Sequence, residues 1–218
     1  MSSRLAGFRH IAIEGPIGAG KTSLARKLAT YLGAELMLER PAENPFLDRF
    51  YADMTGYAFQ TQLFFLFQRQ KQVQAIAQPN VFGAAVVSDF MLAKDALFAR
   101  LTLSDEEHRL YAQMYAQVAA QVREPDLVIW LQASPETLLA RVRRRGIAME
   151  RAIDTTYLGR LCDAYAEHFH AYQGAPVFAV DTEHVNFVER DDDVAQLIDR
   201  LDRFEGRRET LGTASTLQ

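Results

Sequence analysis

The sequence Gly15-Pro16-Ile17-Gly18-Ala19-Gly20-Lys21-Thr22 determines the fold of this chain. It fits the pattern G-x-x-x-x-G-K-[ST], in which glycines allow backbone N–H groups to turn inward around phosphate oxygens. This motif requires a strand before it and a helix after it. The apolar run 8–14 supplies the strand, and a helical pattern through Leu32 supplies the helix, whose positive N-terminal end also favours phosphate. We therefore predict a phosphate-binding loop over residues 15–23, with Ser23 as its last member.

Two side chains of this loop are predicted to act on a nucleoside triphosphate. Lys21 is expected to reach the β- and γ-phosphates, and the hydroxyl of Thr22 is expected to bind Mg²⁺. The predicted phosphate donor is therefore ATP, with Mg²⁺ as the metal.

Strand and helix signals alternate along the chain, which is typical of an α/β domain with a mainly parallel sheet. We predict five strands, at 8–14, 34–38, 84–88, 127–131 and 177–180. Helices flank them, including a long aromatic-rich helix from Gly56 to Gln78 that ends at Pro79-Asn80. Another begins at Ser104, with Glu107 at capping-box spacing. The expected organisation is one P-loop domain over 1–205 and a flexible tail over 206–218.

The composition limits the partners and the location. With 218 residues, 49% hydrophobic residues and a net charge of −4, the chain has no overall basic field to hold a nucleic-acid polymer. The sole cysteine, Cys162, excludes an internal disulfide and a cysteine-rich metal site. Arg4, Arg9 and Glu14 interrupt the apolar runs of the N-terminus, so we expect neither a signal peptide nor a membrane span. The expected location is the cytoplasm.

An arginine-rich stretch ends the helix that follows the fourth strand. It comprises Arg141, Arg143, Arg144 and Arg145, and Gly146 follows as a candidate hinge. Such a run also suits a solvated helix face. We favour a lid that closes over the phosphates, because arginines neutralise the charge that phosphoryl transfer develops on oxygen atoms. Neighbouring arginines face different directions on a helix, so not all four can point inward.

Two carboxylates follow predicted strands. Asp89 ends the apolar strand 84–88, where an acid can bind Mg²⁺ at the carboxyl edge of the sheet; a surface or capping role is the alternative. Glu39 follows the short second strand and precedes Pro41, where the chain leaves the sheet. A carboxylate at this edge can accept the proton of a hydroxyl group.

Gln62 and Arg69 are conspicuous polar residues on the aromatic-rich helix. They are seven residues apart, about two turns, and therefore share a face. An amide and a guanidinium beside aromatic rings suit the recognition of a flat heterocycle. Exposure of both side chains to solvent fits the same pattern equally well.

Together these motifs resemble the deoxynucleoside kinase family, the deoxycytidine, deoxyguanosine and deoxyadenosine kinases and their bacterial relatives, over about residues 8–190. Besides the loop, the resemblance rests on Glu39 with Asn44-Pro45-Phe46-Leu47, and on Leu131-Gln132-Ala133-Ser134-Pro135-Glu136-Thr137. It implies ATP-dependent phosphorylation of the 5′-hydroxyl of a deoxynucleoside by a homodimer. Purine deoxynucleosides are favoured, because the N-P-x-L segment looks more like bacterial purine deoxynucleoside kinases than thymidine kinases.

The resemblance also implies roles for acceptor-side residues. Glu39 matches the base that activates the 5′-hydroxyl, and Tyr51 and Glu150 match a pair that holds the 3′-hydroxyl. Gln62 matches a glutamine that reads the nucleobase, with Arg69 close to it. Phe98 matches an aromatic ring that stacks on the base.

On the donor side, Arg141 and Arg145 match two arginines of the family's lid. Ile147 stands where a third arginine is usual, so Arg143 or Arg144 is expected to compensate. Phe187 matches the position that flanks the adenine of ATP.

The segment Ser88-Asp89-Phe90 departs from the family pattern (D/E)-R-S. An alignment without a gap places Asp89 on the arginine and Lys94 on an aspartate that contacts the base. A one-residue gap places Asp89 on the acid that helps to hold Mg²⁺, and we prefer this alignment because the strand-end carboxylate then has a chemical role. The arginine is missing in both alignments.

Two other functions compete with this reading. A nucleoside monophosphate kinase needs an additional basic site for the phosphate of its acceptor, and the face of Gln62 and Arg69 offers one arginine. A P-loop regulatory ATPase or GTPase is the second alternative, although the guanine-specific N-K-x-D motif does not occur in the sequence.

Overall fold

Strand β1 (His10–Glu14) lies at the middle of a parallel sheet, and all five of its residues are buried. Its three central residues, Ile11, Ala12 and Ile13, are apolar because helices cover both faces of such a sheet. The computed structural model describes residues 4–77 and 85–212. The other strands are β2 (Glu35–Met37), β3 (Val86–Ser88), β4 (Leu127–Gln132), β5 (Val177–Asp181) and β6 (Arg208–Leu211). Their spatial order is β2-β3-β1-β4-β5-β6, with every neighbouring pair parallel.

Helices connect these strands and pack on the sheet. They are α1 (Lys21–Leu32), α2 (Leu47–Ala52), α3 (Met54–Ala77), α4 (Ala93–Thr102), α5 (Asp105–Ala119), α6 (Pro135–Arg145), α7 (Thr155–Ala171) and α8 (Asp191–Arg203). Short 3₁₀ turns occupy Arg4–Gly7, Pro41–Glu43 and Ala148–Ala152. The capping box predicted at Ser104 and Glu107 is present at the start of α5. The prediction of an α/β P-loop fold is confirmed.

The predicted number of five strands is wrong, because Arg208–Leu211 forms a sixth strand beside β5. This segment lies in the part of the chain that we predicted as a flexible tail. Its sequence, Arg-Glu-Thr-Leu, gave little signal because an edge strand is half exposed and its burial alternates. The backbone N–H of Val177 donates to the carbonyl of Arg207, which begins the pairing. The predicted helix end at Pro79-Asn80 and residues 213–218 lie outside the described residues.

Parallel strands bring their carboxyl ends to one edge of the sheet. The phosphate-binding loop follows β1, Glu39 lies two residues beyond β2, and Asp89 directly follows β3. Ligands of open α/β sheets bind at this edge. Within the described residues, we find no helix with the length and apolar character that crossing a membrane requires.

We predict that His10 makes the fold sensitive to acid. Its Nε2 lies 2.9 Å from the hydroxyl of Ser88, and burial lowers the pKa of His10 to about 4, with nearby Asp126 opposing the shift. Because the unfolded histidine binds a proton near pH 6.5, the folded protein loses stability as the pH falls from 6.5 to 4. Urea unfolding should show that His10→Gln reduces this loss by about 3 kcal/mol. The same substitution at exposed His170 is the control, and an equal effect there contradicts the assignment.

Candidate active site

In the phosphate-binding loop, Gly15 and Gly18 have backbone conformations and close neighbours that only glycine accommodates. Gly15 has φ 146°, and a Cβ there would lie 2.4 Å from the carbonyl oxygen of Leu131. Gly18 has φ 87°, and its Cβ would lie 2.8 Å from the carbonyl oxygen of Leu138. Since L side chains rarely adopt these φ values, the cradle depends on these glycines. The motif therefore has the local geometry that the sequence predicted.

Lys21 lies inside this loop. Its Nζ donates to the carbonyl oxygens of Gly15 and Pro16, at 2.7 and 2.9 Å. Burial, followed by the positive charge of Lys94, lowers the pKa of Lys21 to about 7. A bound polyphosphate supplies the negative charge that keeps such a lysine protonated.

Asp89 joins the loop to the acceptor side. Its Oδ2 accepts a hydrogen bond from the Thr22 hydroxyl at 2.5 Å, and its Oδ1 accepts one from the backbone N–H of Glu39 at 2.7 Å. A hydroxyl and a carboxylate oxygen side by side form the donor set that Mg²⁺ prefers. This geometry favours the alignment in which Asp89 is the magnesium-holding acid.

A cavity of about 370 Å³ lies between the phosphate-binding loop, α6 and the segment before α8, and we call it the donor cavity. It is lined by residues 18–23, Arg141, Arg144, Arg145 and residues 185–188. Among the described residues that line it, four are cationic and none is acidic. Of the two arginines expected to compensate for Ile147, Arg144 lines this cavity and Arg143 does not.

Arg141 fixes α6 to the segment that follows β5. Its guanidinium donates to the hydroxyl of Thr182 at 3.0 Å and to the carbonyl of the same residue at 2.5 Å. Phe187, predicted to flank the adenine, is 3% exposed and forms part of the cavity wall. Arg141 also donates to the carbonyl of Val185 at 3.4 Å, so α6 is attached to the segment that forms part of the wall of the donor cavity.

A second cavity, of about 360 Å³, also adjoins the phosphate-binding loop, and we call it the acceptor cavity. All eight residues predicted to bind the acceptor line it: Glu39, Tyr51, Gln62, Arg69, Asp89, Lys94, Phe98 and Glu150. Its described lining contains four cationic side chains (Lys21, Arg69, Lys94 and Arg145) and four carboxylates (Glu39, Asp89, Asp95 and Glu150). The fixed charges of this cavity therefore balance, unlike those of the donor cavity.

Arg69 connects two carboxylates in the acceptor cavity. One arm of its guanidinium pairs with Glu39 and the other with Asp95, and the side chain is 3% exposed. The second oxygen of Glu39 accepts a hydrogen bond from Lys94 Nζ at 2.7 Å. Arg69 therefore has two carboxylate partners, Glu39 and Asp95. Asp95 is one of the two acids, with Asp89, that the alignment with a one-residue gap offers as an acceptor on this side of the site.

Gln62 and Arg69 are both buried, so the alternative of solvent exposure is wrong. Gln62 is 3% exposed, and its Nε2 donates to the hydroxyl of Thr102 at 3.3 Å. That hydroxyl donates in turn to the carbonyl of Phe98 at 2.7 Å. The amide of Gln62 therefore has a partner on α4 that restricts its orientation.

The arginine-rich end of α6 forms an ion pair with Glu150, which lines the acceptor cavity. Arg145 Nη2, at the end of α6, lies 2.6 Å from both carboxylate oxygens of Glu150. Tyr51 is close to this pair: burial, with the nearby Tyr157 and the negative charge of Glu150, raises the pKa of Tyr51 well above its usual value. Tyr51 is therefore a neutral hydrogen-bonding group throughout the physiological pH range.

Glu14, the last residue of β1, is a buried carboxylate that the sequence analysis did not assign to the site. It is 1% exposed and accepts hydrogen bonds from the N–H of Gly15 (3.1 Å), the N–H of Met91 (2.8 Å) and the hydroxyl of Tyr165 (2.9 Å). These bonds hold the loop, the chain after Asp89 and α7 together. An acid at the end of an otherwise apolar buried strand was the available signal.

Comparison with known proteins gives concordant results. The family model described as "Deoxynucleoside kinase" matches residues 11–204. A deoxyguanosine kinase of Bacillus subtilis is 36% identical over 82% of this chain and 88% of its own length. A deoxyadenosine kinase of Dictyostelium discoideum is 36% identical over 72% of this chain and 65% of its own. The structure of a deoxyadenosine kinase from M. mycoides with bound dATP has a TM-score of 0.76 and 26% identity, covering 88% of this chain and 99% of that one.

We predict that replacing Arg69 destabilises the fold strongly. Arg69→Met leaves buried Asp95, which is 1% exposed, without its cation, and removes one of the two cations of Glu39. Breaking a buried ion pair in this way costs about 3–5 kcal/mol, which urea unfolding measures.

Arg40→Met is the matched control, because Arg40 pairs with Glu43 at the surface. Its expected cost is below about 1 kcal/mol. Similar losses for the two variants contradict the central role of Arg69.

Proposed function

The chain belongs to the deoxynucleoside kinase family, and on this premise we propose that it is an ATP-dependent phosphotransferase that acts on the 5′-hydroxyl of purine deoxynucleosides. The similarity to both deoxyguanosine and deoxyadenosine kinases supports a purine acceptor.

The difference in charge between the two cavities carries this proposal. The donor cavity has four cations and no acid among its described lining residues, which suits a triphosphate. The acceptor cavity shares Lys21 and Arg145 with the donor cavity and adds two cations, Arg69 and Lys94, together with four carboxylates. It therefore has no surplus of positive charge, which suits a neutral acceptor. A nucleoside fits this balance better than a nucleoside monophosphate, whose phosphate requires unpaired positive charge.

On the donor side, backbone N–H groups of the phosphate-binding loop and of the first turn of α1, together with the ammonium of Lys21, bind the β- and γ-phosphates of ATP. Arg141 and Arg145 stabilise the charge that develops on the transferred group. Phe187 flanks the adenine. The dATP-bound relative supports the use of an adenine nucleotide.

Mg²⁺ fits the oxygen pair of Thr22 and Asp89, which lie 2.5 Å apart. When bound, it neutralises charge on the β- and γ-phosphate oxygens. Asp89 also holds the backbone of Glu39, so the same carboxylate keeps the two halves of the site in register.

On the acceptor side, Glu39 accepts the proton of the 5′-hydroxyl as the oxygen attacks the γ-phosphorus. Tyr51 and Glu150 hold the 3′-hydroxyl of the sugar. Gln62 forms two hydrogen bonds with the base, on which Phe98 stacks.

A homodimer and a cytoplasmic location are further parts of the proposal. On the packed pair of helices α3 and α5, Phe67 is 44% and Leu110 is 50% exposed. Large exposed apolar side chains on adjacent helices support a subunit interface.

The function is tested by measuring ADP release with and without each of the four deoxynucleosides. Turnover that requires a deoxynucleoside is expected. Lys21→Ala should lower this deoxynucleoside-dependent turnover by about 10³-fold, as for other groups that stabilise the transition state. Hydrolysis of ATP at the same rate without an acceptor indicates a regulatory ATPase instead.

We predict that Glu39→Gln lowers kcat by about 10²–10⁴-fold, because the amide cannot accept the proton. The KM for the deoxynucleoside should change little, since the amide keeps the size of the side chain. Glu43→Gln, on the adjacent surface turn, is the control. A mild effect of Glu39→Gln together with loss of activity in Asp89→Asn would show that the two carboxylates have the opposite roles.

We also predict that Gln62 selects the base together with the residues around it, with purine deoxynucleosides preferred over thymidine. An amide can donate and accept at once, which suits an edge that offers both a donor and an acceptor, as adenine does at N6 and N7. Asp95 and Glu39 neutralise Arg69, so the arginine alone does not impose guanine. Values of kcat/KM for the four deoxynucleosides, with wild type and Gln62→Ala, measure the effect. Thymidine as the best substrate, or an unchanged ranking and efficiency in the variant, contradicts this prediction.

A further inference from the structure

Lys94 has a position in the acceptor cavity that the assigned roles do not explain. It is the second residue of α4, and its side chain is 9% exposed. Lysine is almost never buried to this degree without a charged partner. Its Nζ lies 2.7 Å from Oε2 of Glu39, the proposed base.

The remaining hydrogen-bonding capacity of Lys94 is directed at the cavity. A lysine ammonium has three N–H donors, and in the described part of the chain Glu39 is its one hydrogen-bond partner. The other neighbour is the ring of Phe98, with Nζ 5.5 Å from its centroid. Lys94 and Lys21 line the same cavity, from α4 and from the phosphate-binding loop.

Arg69 and Lys94, the two cations next to Glu39, differ in the number of their carboxylate partners. Both arms of Arg69 are engaged by carboxylates, and the side chain is fixed between α3 and α4. Lys94 has one carboxylate partner, and this partner is the residue at which the 5′-hydroxyl loses its proton. Its ammonium therefore lies beside the proposed base, Glu39.

Building on the proposed function, we infer that Lys94 is a catalytic residue: its ammonium orients Glu39 and donates hydrogen bonds to the phosphoryl group as this group reaches the 5′-oxygen. The 5′-oxygen forms a bond to the γ-phosphorus, and the bond from that phosphorus to the β–γ bridging oxygen breaks. The electron pair of the broken bond stays on ADP, and the hydroxyl proton moves to Glu39. Lys94 keeps its protons and stabilises the negative charge on the transferred group.

The test compares binding of a purine deoxynucleoside with binding of its 5′-monophosphate, because only the monophosphate carries the transferred group. In Lys94→Gln, calorimetry should show about 10- to 100-fold weaker binding of the monophosphate, the loss expected for a charged hydrogen bond. Affinity for the deoxynucleoside should stay within about twofold of wild type. The kcat should fall by about 10²–10³-fold, with the ranking of the four deoxynucleosides unchanged.

Two further variants complete the design. Exposed Lys71→Gln on α3 is the matched control and should leave all values unchanged. Lys94→Arg keeps the charge and should recover part of the lost monophosphate affinity. If Lys94→Gln does not fold, the double variant Glu39→Gln, Lys94→Gln removes both members of the pair, and comparing it with Glu39→Gln alone measures the same ratio of monophosphate to deoxynucleoside affinity.

Three outcomes overturn the inference. Normal kcat in Lys94→Gln removes any catalytic role, and a changed base ranking indicates that Lys94 reads the base. Equal loss of affinity for both ligands indicates that Lys94 only holds Glu39 in place. Failure of the proposed function is a different result. It is seen with the wild type alone, as absence of deoxynucleoside-dependent turnover.

Discussion

Burial of the charged groups is the physical constraint on which this site depends. Charged side chains are stable away from water only when an opposite charge or a hydrogen-bond network compensates them. Arg69 therefore lies between Glu39 and Asp95, and Lys94 pairs with the other oxygen of Glu39. These pairs restrict the orientation of the Glu39 carboxylate, so the interactions that stabilise the buried charges also position the residue that we propose as the base.

The parallel sheet brings these groups to one place. The loop after β1, Glu39 after β2 and Asp89 after β3 meet because parallel strands end at the same edge. Short links then fix their relative positions: Asp89 contacts both Thr22 and the N–H of Glu39. Glu14, at the end of β1, joins the loop to the chain that follows Asp89 by accepting hydrogen bonds from the N–H groups of Gly15 and Met91. The alignment of donor and acceptor halves thus depends on a few side-chain bonds to backbone N–H groups.

The two cavities divide the electrostatic task. The donor cavity collects arginines from α6 without acids among its described lining residues, whereas the acceptor cavity balances its charges. Arg145 lies between them, because it lines both cavities and pairs with Glu150. The C-terminal end of α6 therefore contributes charge to both cavities. Arg141, one turn earlier in the same helix, attaches α6 to Thr182.

The sequence by itself determined the phosphate-binding loop and the α/β class, because spacing within the chain and the alternation of strands and helices define them. It also indicated eight of the residues that line the acceptor cavity, and the loop, Arg141, Arg145 and Phe187 of the donor cavity. Only the tertiary structure decided the sixth strand and the partners of the buried charges. Arg69 meets Asp95 across 26 positions and Glu39 across 30, and Lys94 meets Glu39 across 55. Such pairs carry no local signal, since the strands and helices that bring them together are stabilised by contacts throughout the core.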